Sequence, residues 1–183
     1  AGLVAVSALA AALAVATVVL LRERRRLREP AGGLAPLEIG TLAPELHLRD
    51  AHGSPLAIRE VIATERPTVL VFVAPGCGPC KALLPRLEHW RSALAERLAL
   101  VLISAPPTEG GATAEAPTAT PHTVWDVENA AMGAYRLPGT PSAVLVDTDG
   151  AIASAPAMAA EPIEALIRVA RRPRSAAQSR AAA

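Results

Sequence analysis

Residues 68–87 read TVLVFVAPGCGPCKALLPRL, and the reading of this stretch decides the fold. Thr68 to Val73 is an unbroken β-branched and apolar run, the pattern of a strand buried on both faces. Cys77-Gly78-Pro79-Cys80 follows at once. After it Leu83, Leu84, Leu87, Trp90, Leu94 and Leu98 recur at helical spacing, which predicts a helix to about residue 97. Leu98 to Ile103 reads as a second buried strand. Strand, helix and strand in this order form a βαβ unit whose parallel strands join by a right-handed crossover. Pro85 falls inside the helix and removes one backbone hydrogen bond. The apolar stripe continues past it, so a kinked helix is expected rather than an end at Leu84.

The junction puts Cys77 at the helix N-terminus, where unpaired N–H groups and the helix dipole favour an anion. A Cys77 thiolate is stabilised there, and its pKa should fall below that of a free thiol. Cys80 comes one turn later on the same face, within reach to resolve a mixed disulfide formed at Cys77. Pro79 lies in the first turn, where its missing N–H costs nothing. Gly78 leaves room for a substrate backbone. The competing readings are weaker. A structural zinc site needs a second ligand pair, and His47, His52, His89 and His122 are scattered. A purely structural disulfide across so small a loop constrains the unfolded chain little. A copper site would want Met or His beside the cysteines.

Upstream, Leu46 and Leu48 alternate with polar neighbours, and Pro55 to Ile58 follows the turn Ala51-His52-Gly53-Ser54, which predicts a hairpin. Downstream, Ala105 to Pro121 is rich in Pro, Thr, Ala and Gly and reads as a loop. A short strand is expected at Thr123–Val127, a short helix at Glu128–Tyr135 and a turn at Gly139-Thr140-Pro141. A strand at Ser142–Val146, a turn at Asp147–Gly150 and a return strand at Ala151–Ala155 come next. Glu161 to Arg172 reads as an amphipathic helix, and the remainder to Ala183 as a disordered tail (173–183). From local chemistry alone the Thr140–Pro141 bond is trans, as most X–Pro bonds are.

Residues 1–21 contain no charge and at 1.5 Å each span about 30 Å, the thickness of a bilayer core. Arg22, Arg24, Arg25, Arg26 and Arg28 follow, where a signal peptide would carry a cleavage site instead. A membrane anchor is therefore expected at 1–21, a basic and Pro/Gly linker at 22–36 and the folded domain at 37–172. The arginines argue for a cytoplasmic domain. The chain has 183 residues, a net charge of +1 and 2% aromatic residues, so neither long-range field nor stacking rings point to nucleic acid. Two cysteines in all exclude a disulfide-stapled scaffold.

Residues 69–87, with Lys81 after the CGPC pair and Pro85 five residues past Cys80, resemble the thioredoxin superfamily. Gly139-Thr140-Pro141 followed by SAVLVDTDG resembles its cis-proline loop and hairpin. Gly40-Thr41-Leu42-Ala43-Pro44 with Leu46, Leu48, Asp50 and Gly53 resembles the entry hairpin of the TlpA/ResA branch. The span, the arginine joint and VFVAPGCGPCKALLP are most similar to the MauD-type membrane-anchored thiol–disulfide oxidoreductases. The resemblance implies an α/β thioredoxin-like fold, a mixed sheet flanked by helices with an N-terminal hairpin extension. It implies a cis bond before Pro141, Cys77 and Cys80 as catalytic residues, and Gly76, Thr140 and Pro141 as the client-binding surface. Gly78, Pro79, Lys81 and Pro85 would support them. It implies no cofactor beyond the Cys77–Cys80 couple. The partners would be client cysteines, a thiol–disulfide electron donor or acceptor, and the bilayer, with the domain outside the cytoplasm.

Three departures stand out. Gly76 replaces the superfamily's Trp before the first Cys. Val71 replaces its buried Asp, and Leu83 replaces the ResA-like Glu. A peroxiredoxin is excluded because Leu70 and Ala74 occupy the positions its Pro and Thr/Ser require. The function expected is a membrane-anchored reductase or isomerase of protein disulfides; the alternative is a non-catalytic binding module.

Overall fold

Val69, Leu70, Val71 and Phe72 are each at most 1% exposed, so neither face of their strand meets solvent. The computed structural model containing them describes residues 35–106 and 123–171, together with Thr17. In chain order the elements are β1 (His47–Arg49), β2 (Pro55–Ala57), α1 (Ile58–Val61), β3 (Thr68–Val73), α2 (Gly78–Ala93), β4 (Ala99–Ser104), β5 (Thr123–Trp125), α3 (Ala131–Ala134), β6 (Ser142–Val146), β7 (Ala157–Met158) and α4 (Ala160–Ala170). The strands form one mixed sheet in the order β2-β1-β5-β4-β3-β6-β7. β4 runs parallel to both β3 and β5, whereas β6 is antiparallel to β3. The βαβ unit expected around the cysteines is therefore present as β3-α2-β4.

Alternation along β3 sends its side chains to two cores. Leu70 and Phe72 join Leu48, Ile58, Ile103, Ala131 and Val144 on the α1/α3 side. Val69, Val71 and Val73 join Leu83, Leu87, Leu102, Ile163 and Ile167 on the α2/α4 side. Each large apolar side chain so buried contributes roughly 1.5–3 kcal/mol. Phe72 meets the ring of fully buried Tyr135 at 5.1 Å between centroids. On the other side Arg86 of α2 reaches the buried Glu164 of α4 and lies 5.7 Å from the Trp90 ring centroid, tying the two helices together.

Several element ends differ from the sequence reading. α2 continues through Pro85 but stops at Ala93. Leu94 caps it, and Arg97 and Leu98 turn back onto the Leu94 carbonyl, so that Leu98 enters the core just before β4. The second hairpin strand ends at Ala57, because Ile58 already begins α1. β5 ends at Trp125. The buried Asp126 instead accepts the N–H groups of Ala130 and Ala131, and Asn129 takes φ 52°, so the helix expected at Glu128–Tyr135 shrinks to Ala131–Ala134. Ala151 and Ile152 make only isolated bridges, to Leu42 and Val146; the strand that returns along β6 is Ala157–Met158. The final helix runs Ala160–Ala170. The expected anchor apart from Thr17, most of the linker, the loop core at 107–122 and the C-terminal tail lie outside the described residues. Among the described residues no helix is long and apolar enough to cross a membrane.

Ala159, the N-cap of α4, has φ 68° and ψ 167°, a region that glycine alone occupies at little cost. Ala159→Gly should raise stability by about 1 kcal/mol, read as a higher urea midpoint with unchanged slope; a lower midpoint would contradict the strain. Tyr135 donates to the Pro44 carbonyl at 3.4 Å, and burial, aided by the negative Glu45, holds its phenol above the ordinary range. The folded chain thus keeps a proton that the unfolded chain releases above about pH 10, and stability falls as pH rises from there. Urea titrations at about pH 9 and 11 should show a smaller loss for Tyr135→Phe than for the parent. Equal losses would remove Tyr135 as the cause.

Candidate active site

β3 ends at Val73 and the chain turns through Ala74-Pro75-Gly76, with the Cys77 N–H donating to the Ala74 carbonyl at 3.3 Å. Gly76 sits at φ 75°, in the left-handed region that favours glycine. Cys77 then takes the extended backbone of an N-cap, and its Sγ accepts the Cys80 N–H at 3.2 Å. The sulfur thus fills the role a Ser or Thr oxygen plays at other helix starts. Pro79 falls in the first turn, and the Lys81 N–H closes that turn onto the Cys77 carbonyl at 3.1 Å. Cys77 and Cys80 are joined as a disulfide with their Cα atoms 5.2 Å apart. Cys77 is half-buried, whereas Cys80 is only 2% exposed and faces the α2/α4 core.

A second loop closes on this one. The Thr140–Pro141 peptide is cis, and the Thr140 carbonyl oxygen lies 3.8 Å from Cys77 Sγ. Pro141 is buried, and its carbonyl accepts the Ala159 N–H at 3.0 Å. Ser142 Oγ donates to the Gly139 carbonyl, and Ser142 pairs with Met158 across β6 and β7. The loop is thereby held by the entry to α4. A Cβ built on Gly76 or Gly78 would meet nothing within 4 Å, so the surface over the disulfide is open.

Gly76, Cys77, Gly78, Pro79 and Cys80 are gathered at the start of α2, with Thr140 facing Cys77 and Pro141 beneath. Lys81 is exposed on the first turn. Pro85 lies further along α2, where it lines an apolar groove of about 310 Å³ with Leu84, Leu87, Leu100 and Leu102. Two neighbours were missed by sequence reasoning. Ala159 braces Pro141, and Met158, 39% exposed, places its Cε 4.0 Å from a Cβ built on Gly139. Nothing in the run Ser154–Ala160 signals a strand, because its small residues carry no apolar alternation.

The arrangement can carry thiol–disulfide exchange. Once reduced, Cys77 sits where helix N–H groups stabilise its thiolate, half-exposed beside an open surface. Val71 and Leu83, which stand in place of the superfamily's buried Asp and the ResA-like Glu, are each 1% exposed and share the buried cluster of Cys80. Among the described residues no group of three or more His, Cys, Asp and Glu could hold a metal.

Comparison with known proteins agrees with this geometry. The thioredoxin-like domain family matches residues 54–170, which include β2 to α4, the cysteine motif and the cis-proline loop. The methylamine utilization protein MauD of Paracoccus versutus is 34% identical over 119 residues, covering 63% of this chain and 56% of that protein. Its namesake in Methylorubrum extorquens is 31% identical over 119 residues, covering 63% and 55%. The chain thus spans about half the length of these curated relatives. Among solved structures, a thiol:disulfide interchange protein from Bacteroides sp. superposes with a TM-score of 0.59 at 19% identity, covering 76% of this chain and 94% of that one. StoA from Bacillus subtilis gives 0.53 at 20% identity, with coverages of 70% and 97%. These structural likenesses carry the fold, and the family match spans the site as well. The chain belongs to the thioredoxin-like domain family.

Proposed function

We propose that this protein is a thiol–disulfide oxidoreductase acting on cysteines of client proteins. The observation that carries the reading is the Cys77 sulfur capping α2 beside the cis Thr140–Pro141 loop. Cys77 attacks a client disulfide and Cys80 resolves the mixed disulfide. The backbone of Thr140, with Gly76 and Pro141 beside it, receives an extended client segment. Gly78, Pro79 and Lys81 shape the first helical turn that holds the thiolate, and Pro85 acts at a distance, through the packing of α2. No cofactor is required beyond the couple itself.

The uncharged run 1–21 anchors the chain in a membrane, with residues 22–36 as a joint and 37–172 as the folded domain outside the cytoplasm. The likeness to MauD proteins supports a role in maturing redox proteins, supplied by a membrane electron donor or acceptor. The full chain should remain with membranes after an alkaline wash, and removal of residues 1–30 should release it. Release of the full chain would remove the anchor, and protection from protease in intact spheroplasts would place the domain inside.

The second reading, a binding module with vestigial cysteines, draws on the apolar Val71 and Leu83 beside Cys80. Cys77→Ser decides between the two. Exchange with a client disulfide should fall to the uncatalysed rate, and Cys80→Ser should arrest clients as stable mixed disulfides. Full biological activity in Cys77→Ser would leave only the binding module. A potential of the couple near or below about −250 mV marks a reductase, and one above about −150 mV an oxidase or isomerase.

A further inference from the structure

We infer that the Cys77–client mixed disulfide of this protein is long-lived at neutral pH, because no side chain among the described residues is placed to take the proton of Cys80. This inference rests on the reading of Cys77 and Cys80 as an exchange pair. In the first step the Cys77 thiolate bonds to one client sulfur, the client S–S bond breaks, and the departing thiolate takes up a proton. The client sulfurs gain the electrons that Cys77 gives up. In the second step Cys80 must lose its proton, bond to Cys77 Sγ and expel the remaining client thiolate. Only the thiolate form of Cys80 can attack.

The surroundings of Cys80 oppose that ionisation. Cys80 is 2% exposed and lies in a buried cluster with Val69, Val71, Val73, Leu83, Leu87 and Ala143. Val71 comes from β3, and Leu83 is three residues on along α2, on the same face as Cys80. Burial in apolar surroundings disfavours a thiolate. Among the described residues the one buried carboxylate on this side of the sheet, Glu164, is engaged by Arg86 and Arg168. The helix N-terminus serves Cys77 instead, since the Cys80 N–H is directed at its sulfur. With no acceptor among the described residues, the proton of Cys80 leaves to water or hydroxide, and resolution speeds up with pH. A client held meanwhile on Cys77 is exposed to attack by a further cysteine thiolate of its own, one outside the broken disulfide, which bonds to the held client sulfur and expels Cys77; that is the step an isomerase needs.

The test is a single turnover of the reduced full chain with a peptide whose one cysteine is disulfide-bonded to glutathione. Acid quenching and intact mass follow the Cys77–peptide adduct. The adduct should accumulate at pH 7, and its decay should quicken about tenfold per pH unit up to about pH 9. Val71→Asp or Leu83→Glu would place beside Cys80 a carboxylate that burial raises toward neutrality. Either should hasten decay at pH 7 by about tenfold or more and flatten the pH profile. Turnover without accumulation, or a decay independent of pH, would overturn the inference and leave the exchange reading standing. Neither adduct nor turnover would end the exchange reading itself. If neither variant folds, the pH profile of the parent adduct decides.

Discussion

The contact between the Cys80 N–H and Cys77 Sγ is the interaction on which the site depends. It makes a sulfur the cap of a helix, and so couples the charge of Cys77 to the open end of α2. Everything nearby serves to hold that end still. β3 delivers the chain from the buried sheet, Gly76 supplies the left-handed turn, and Pro79 starts the helix without presenting a surplus donor. The N–H of Cys80 is spent on the Cys77 sulfur, while Cys80 itself is buried among apolar side chains. The two cysteines are thus given opposite environments by one turn of helix.

The scaffold explains why this end can be rigid. β3 is buried along its whole length and pairs with β4 and β6 over nearly all its residues. α2 is pinned to β3 by Leu83 and Leu87, and to α4 by the Arg86–Glu164 ion pair. α4 in turn is capped by Ala159, whose N–H holds the Pro141 carbonyl. The cis-proline loop and the cysteine turn are therefore parts of one braced unit, although 63 residues separate Cys77 from Thr140. The strained backbone of Ala159 lies at the point where that brace is made.

Much of this was legible in the sequence, for physical reasons that differ by element. β3, α2 and β4 are long and strongly patterned, so periodicity alone found them. The cysteine spacing and the adjoining helix start pointed to the candidate site. The cis bond before Pro141 was not legible from local chemistry, which favours trans; it came from the resemblance to thioredoxins. The short elements were misjudged at their ends. Asp126 looked like a strand residue, and its role as acceptor for Ala130 and Ala131 is a tertiary arrangement. β7 consists of Ala157 and Met158 in an alanine-rich run, where no pattern distinguishes a strand from a loop. Its pairing with Ser142 and Ala143 depends on α4 packing back over the sheet.

The central claim is that the α2 N-terminus holds Cys77 as the reactive thiolate. The direct measurement is the rate of Cys77 alkylation by iodoacetamide as a function of pH in the reduced Cys80→Ser protein. The account predicts a midpoint clearly below the free-thiol value, at or under about pH 7.5. A midpoint at or above about 8.5 would mean that the helix end does not activate the sulfur, and would contradict the account.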